Sequence, residues 1–129
     1  MAKTVINIDR KNLDRELYST AGSVGRYLKL IAHRIKRGAR AQVGVDTGAL
    51  RSSIHLRHRR DVRGQYYWIG SNLPYARMHH EGTKPHIITP NNGRALRFFV
   101  RGAVVFAHKV RHPGTRPNRY LTDQLKLIR

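Results

Sequence analysis

The sequence predicts an α+β fold, with a long N-terminal helix packed on an antiparallel β-sheet and a short C-terminal helix. Three observations predict it. Leu13, Leu17, Ala21, Val24, Leu28, Ile31 and Ile35 recur at spacings of four and three, which draws one apolar stripe along a helix. Ser53 to Arg59 and Gln65 to Ser71 alternate around a turn-like Asp61 to Gly64, which is the pattern of a hairpin. Three further apolar runs, at 86–88, 95–100 and 103–107, are separated by Asn91-Asn92-Gly93 and Gly102 and read as strands of a meander. At 129 residues the chain predicts a single domain over 1–129.

Each element has its own local signal. Val5-Ile6-Asn7-Ile8 alternates and reads as a short strand. Asn12 is the expected N-cap of the long helix, with Asp14 and Glu16 in the first turn, where the helix dipole favours anions. Gly22 and Gly25 each cost about 1 kcal/mol relative to Ala and mark close packing or a bend. Lys29, Arg34, Lys36, Arg37 and Arg40 make the C-terminal half cationic, which suits the dipole. Asp46 is placed to cap one helical turn through Arg51. Pro74 starts a short helix from Tyr75 to Glu81, which Gly82 ends in the left-handed conformation. The segment from His112 to Pro117 reads as a rigid loop, and Tyr120 to Ile128 as the final helix. No internal repeat or low-complexity segment stands out.

Composition narrows the function classes. Apolar residues make up 40% of the chain, enough for a modest core. No apolar run approaches a membrane span, and the alternating N-terminus lacks the apolar stretch of a signal peptide, so synthesis in a cytoplasm is expected. The chain has no cysteine, which removes disulfides, thiolate metal sites and cysteine nucleophiles. Lys and Arg number 26 against 7 Asp and Glu, a net charge of +19. Such a chain repels itself unless anions are near, and nucleic acid or acidic protein neighbours are the two anionic partners to consider.

Catalytic and metal chemistry find little material. His79-His80-Glu81 are adjacent on a helix, so the two imidazoles point about 100° apart instead of sharing a face. His108 and His112 are four apart, but Pro113 and Gly114 disfavour a helix there. Between Asp61 and Asp123 the only carboxylate is Glu81, too few for a paired-carboxylate hydrolase or a metal-dependent nuclease. Glu81 reads as a structural anion for Arg77, Lys84 or a neighbouring subunit. No catalytic residue, cofactor site or metal site is expected. Arg57, Arg59, Arg60 and Arg63 form the densest cationic patch, either a solvated hairpin tip or a contact for phosphate or an acidic partner. Tyr66, Tyr67 and Trp68 beside them have the chemistry to stack on bases, but alternation splits them between two faces and makes one face core.

Ordered residue blocks carry the reading further. Asp46-Thr47-Gly48-Ala49-Leu50-Arg51-Ser52-Ser53-Ile54 is followed by Gly70-Ser71-Asn72-Leu73-Pro74-Tyr75-Ala76 and then by His80-Glu81-Gly82-Thr83. Pro85-His86-Ile87-Ile88-Thr89-Pro90 and Ala95-Leu96-Arg97-Phe98 come next. The series closes on His112-Pro113-Gly114-Thr115-Arg116-Pro117, with Tyr120-Leu121 after it. From Asp46 to Leu121 this series resembles the tail-completion, or head–tail connector, family of long-tailed bacteriophages. Two positions depart from that pattern: Tyr120 stands where Phe is commoner, and Glu81 meets Gly82 with no apolar residue between.

The resemblance implies a structural virion protein and not an enzyme. It implies a closed ring of sixfold or twelvefold symmetry in the neck, around the DNA channel, formed in the host cytoplasm. Its implied partners are further copies of itself, neighbouring connector, portal-side and tail-terminator proteins, and packaged DNA by non-specific contact; no membrane is involved. Asp46, Gly48, Leu50, Glu81, Gly82, Thr83, His112, Pro113 and Gly114 are then the positioning and interface residues, and Arg57, Arg59, Arg60 and Arg63 the anion contacts. The rival readings are a basic nucleic-acid-binding protein acting outside a virion and, more remotely, a metal-dependent nuclease.

Overall fold

The N-terminal helix forms in two pieces. In the computed structural model, which describes residues 3–128, α1 (Arg10–Tyr18) is capped by Asp9, whose carboxylate accepts from the Asn12 amide at 3.1 Å. Asn12 is therefore inside the helix and not its cap. Its side chain accepts instead from the Arg15 guanidinium. The chain turns over 19–22 and re-enters helix as α2 (Ser23–Gln42). Gly22 and Gly25 mark both the bend and the close packing. A Cβ on Gly22 would lie 2.6 Å from the Glu16 carbonyl oxygen, and one on Gly25 would lie 2.8 Å from Thr20 Cα. The Glu16 carboxylate accepts from the Ser23 amide at 2.8 Å across the bend. That bond, first among the causes, holds the Glu16 carboxyl below the ordinary glutamate range.

The bend resets the phase of the apolar stripe. Ile31 and Ile35 are buried as expected, joined by Ala32, Ala39 and Val43, whereas Leu13, Leu17 and Val24 face solvent. The strand expected at 5–8 does not form. Val5, Ile6 and Ile8 are 78%, 82% and 63% exposed, and no strand pairs with them among the described residues. Alternation marks a face, but a strand also needs an edge to bond to.

After α2, Gly48 adopts φ +81 and becomes the N-cap of α3 (Ala49–Ser53), so Asp46 lies upstream of the turn it was expected to cap. Arg40 of α2 reaches across and donates to the Ser52 and Ile54 carbonyls at 3.2 and 2.8 Å, satisfying the end of that helix. Leu50 and Ile54 are buried. The hairpin then follows as β1 (His55–Asp61) and β2 (Gly64–Gly70), antiparallel in the register Arg57↔Trp68 and Arg59↔Tyr66. It packs on α2. The C-terminal helix is a 3-10 helix, Thr122–Ile128, on the same helix. Buried Gln124 donates to the Gln42 Oε1 at 2.7 Å, and Gln42 donates to Asp123 Oδ2 at 2.7 Å. Gly38 leaves room for the Gln124 side chain, which a Cβ there would strike.

The chain divides into two compact units, one holding the chain up to Leu73 and again from Arg119, the other Pro74–Asn118. The second contains α4 (Ala76–Glu81), β3 (His86–Ile88), β4 (Leu96–Val100), β5 (Ala103–Ala107) and β6 (Val110–His112). Its strands do not form a meander. β4 pairs with β5 through a two-residue turn in which Arg101 and Gly102 have φ +50 and +85. β3 skips both and pairs with β6, enclosing that hairpin in chain order. Residues 110–112 thus form a strand ending at His112, where a loop was expected to begin. Among the described residues the antiparallel sheet is realised as three two-stranded ladders.

Candidate functional site

Two places gather the residues that the sequence singles out. The first is the outer face of the β1–β2 hairpin. Side chains alternate along each strand, so Arg57 and Arg59 share one face with their cross-strand neighbours Trp68 and Tyr66. That face is open: Trp68 is 65% and Tyr66 39% exposed. The Tyr66 and Trp68 rings are tilted at 55°, with centroids 6.5 Å apart. Tyr66 is fixed at its tip, its hydroxyl donating to Asp61 Oδ2 at 3.0 Å. This bond, with a smaller contribution from burial, raises the Tyr66 pKa. Asp61 Oδ1 also accepts from the Arg63 amide at 2.8 Å, closing the hairpin turn. Among the described residues no carboxylate pairs with Arg57 or Arg59.

The inner face is different. Tyr67 stacks at 4.8 Å on His58, its cross-strand neighbour. Tyr67 and Ile69 join Leu28, Ile35 and Leu125 around an apolar groove of about 410 Å³ on α2. Arg60 points to this side of the ribbon by alternation, and Arg63 occupies the turn. The four expected anion contacts are therefore not one patch. Arg57 and Arg59 stand together; Arg60 and Arg63 do not join them.

The second place is a clasp in the Pro74–Asn118 unit. Thr83 and Thr115 exchange backbone hydrogen bonds, at 3.0 and 3.1 Å, as an isolated antiparallel bridge. Their hydroxyls meet at 3.0 Å. Gly82 has φ +76 and ψ 176, a region that only glycine occupies freely, so it ends α4 extended and not left-handed helical. Gly114 has φ +87. Each glycine presses on the other's segment. A Cβ on Gly82 would lie 2.6 Å from the Thr115 carbonyl oxygen, and one on Gly114 would meet the Thr83 carbonyl oxygen and lie 2.9 Å from the Lys84 carbonyl carbon. The His112 ring lies 5.0 Å from His86, its partner in the β3–β6 ladder, and accepts from the Gly114 amide at 3.0 Å.

The clasp exposes a pattern that the sequence reading missed. His80-Glu81-Gly82-Thr83-Lys84-Pro85 and His112-Pro113-Gly114-Thr115-Arg116-Pro117 are two copies of His-x-Gly-Thr-cation-Pro. They face one another antiparallel across the Thr83–Thr115 bridge. The signal was available as two short, similar strings, but a repeat of six residues falls below the scale of repeat architectures.

The remaining expected residues have structural settings. Glu81 is paired with Arg77 at 2.9 Å, one helical turn away. Pro113 is exposed between β6 and the clasp. Gly48 and Leu50 hold the start of α3, while Asp46 is exposed ahead of it. Ser53, at the end of the same block, bonds Ser71 of the next block, Oγ to Oγ, at 2.7 Å. Among the described residues no group of three or more His, Asp or Glu side chains is arranged to hold a metal ion. No described helix is long and apolar enough to cross a membrane. Comparison with protein-family models, with curated proteins and with solved structures gives no match.

Proposed function

We propose that this chain is a structural subunit of the neck of a long-tailed bacteriophage, closing with copies of itself into a ring between head and tail. The observation that carries assembly is uncovered apolar surface. On β4–β5, Phe99, Phe106 and Val104 share one face by register and are 67%, 65% and 41% exposed. In the other unit the apolar groove on α2 is open, with Leu125 and Ile128 53% and 51% exposed. Patches of this kind mark surfaces completed by another chain. The motif blocks choose which assembly. They resemble the head–tail connector family, and the residues they supply join one block to another: the Ser53–Ser71 bond, the Thr83–Thr115 bridge and the His86–His112 pair.

In this reading the chain turns over no substrate. Its apolar faces bind neighbouring subunits, and its cations face DNA in the lumen or acidic connector, portal-side and tail-terminator proteins. Electron microscopy of purified phage particles tests it directly. The expected outcome is density for this chain as a sixfold or twelvefold ring at the head–tail junction. Particles that contain no copy of the chain by mass spectrometry would end the proposal.

A further inference from the structure

We infer that the outer face of the β1–β2 hairpin is a binding site for single-stranded nucleic acid, with Trp68 as the base-stacking platform and Arg57 and Arg59 as the phosphate contacts. The side chains form a shallow depression of about 360 Å³ lined by His55, Arg57, Arg59, Trp68, Ser71 and Asn72. It combines an aromatic face, two guanidinium groups and several neutral hydrogen-bonding groups. Sequence-tolerant single-strand binders need this combination, because every base offers a π-face and every nucleotide a phosphate. The cross-strand pairing sets Arg57 opposite Trp68 on the same face of the ribbon. Tyr66 extends the aromatic surface, and its bond to Asp61 anchors the ring before any ligand arrives.

Charge decides among occupants. A second copy of this chain brings 26 cationic side chains and only 7 carboxylates, so docking it on two unpaired arginines sets like charges together. A polyanion has the complementary charge. Duplex DNA supplies phosphates but hides its bases in the stack, and would leave Trp68 exposed and unused. A strand with free bases engages both parts of the face. The site stands whether or not the chain closes into a neck ring, since Arg57, Arg59 and Trp68 line neither the apolar groove nor the β4–β5 face.

Trp68 is the sole tryptophan, so its fluorescence reports on this site alone. The full chain is titrated with an oligothymidylate, with a duplex of equal length and with polyglutamate, over a range of salt. The expected result is saturable quenching by the oligothymidylate, and weaker binding without quenching for the other two. Followed by anisotropy of a labelled oligothymidylate, Trp68→Ala should weaken binding by about tenfold or more, whereas Trp68→Phe should stay within about threefold of the parent. Arg57→Ala and Arg59→Ala should each flatten the log–log salt dependence by about 0.7. Circular dichroism of each variant separates lost binding from lost fold. Unchanged affinity in a folded Trp68→Ala variant overturns the proposal. Equal or stronger quenching by duplex or by polyglutamate overturns it too, and would reassign the face to duplex DNA or to an acidic protein.

Discussion

Gly82 and Gly114 can be separated from the other glycines by what surrounds them. Both have positive φ, as does Gly93 at +66, but among the positive-φ glycines of the described residues only the clasp pair meets backbone at the position of a missing Cβ. Replacing Gly82 or Gly114 with Val should therefore cost about 2–4 kcal/mol, combining backbone strain with overpacking against immovable atoms. Gly93→Ala, with open space around it, should cost only about 1–2 kcal/mol from the left-handed backbone. Chemical denaturation of the three variants checks this, and equal losses would mean that the close approach contributes nothing. On the neck-subunit proposal, Gly82→Val should also lower the yield of particles. Much of this was legible at the residue scale. That Gly82 needs a positive φ follows from its place after a short helix. Which atoms it presses on does not, because Thr115 is 33 positions away and nothing local announces the contact.

At the scale of elements, the β4–β5 turn places Arg101 at φ +50 ahead of Gly102. A two-residue hairpin with both central residues at positive φ favours Asn-Gly, and arginine gains nothing there. Arg101→Asn should raise stability by about 0.5–1 kcal/mol, read from the denaturation midpoint. The α1–α2 bend predicts a pH response. Glu16 has a lowered pKa, chiefly through its bond to the Ser23 amide, so the bond's contribution is fully present above the ordinary glutamate value and fades as pH falls through the lowered one. Exchange of the Ser23 amide should accelerate over that acid range relative to its helical neighbours, and Glu16→Gln should abolish the difference. The hairpin β1–β2 was readable because its alternation, turn and length all agreed. The continuous helical stripe was misread where Gly22 resets its phase, and the meander where β3 takes a distant partner. Both failures come from choices of partner, which local pattern does not encode.

At the scale of the molecule, more large hydrophobics are exposed than buried among the described residues, and Phe99, Val104 and Phe106 gather on one face of the β4–β5 ladder. Phe99→Asp combined with Phe106→Asp should leave the far-ultraviolet spectrum and denaturation midpoint of the isolated chain nearly unchanged. On the neck-subunit proposal, the same pair should abolish self-association in sedimentation at salt high enough to screen the repulsion between the cationic chains. Persistent oligomers in that variant would move the self-contact to another face. Composition alone made an anionic partner the expectation, since +19 on 129 residues repels itself. It could not say that Arg57 and Arg59 would stand apart from Arg60 and Arg63. That separation follows from strand register, as does the choice of Trp68 over Tyr67 as the exposed ring.

The Thr83–Thr115 bridge has a topological consequence. In a chain without cysteine, two paired Gly-Thr steps tie off the segment between them into a loop carrying β3 through β6, much as a disulfide would, but held by hydrogen bonds alone. A covalent tie would make that loop permanent. A hydrogen-bonded one opens and recloses at equilibrium, so the segment from β3 to β6 can be released and retied with no change of redox state.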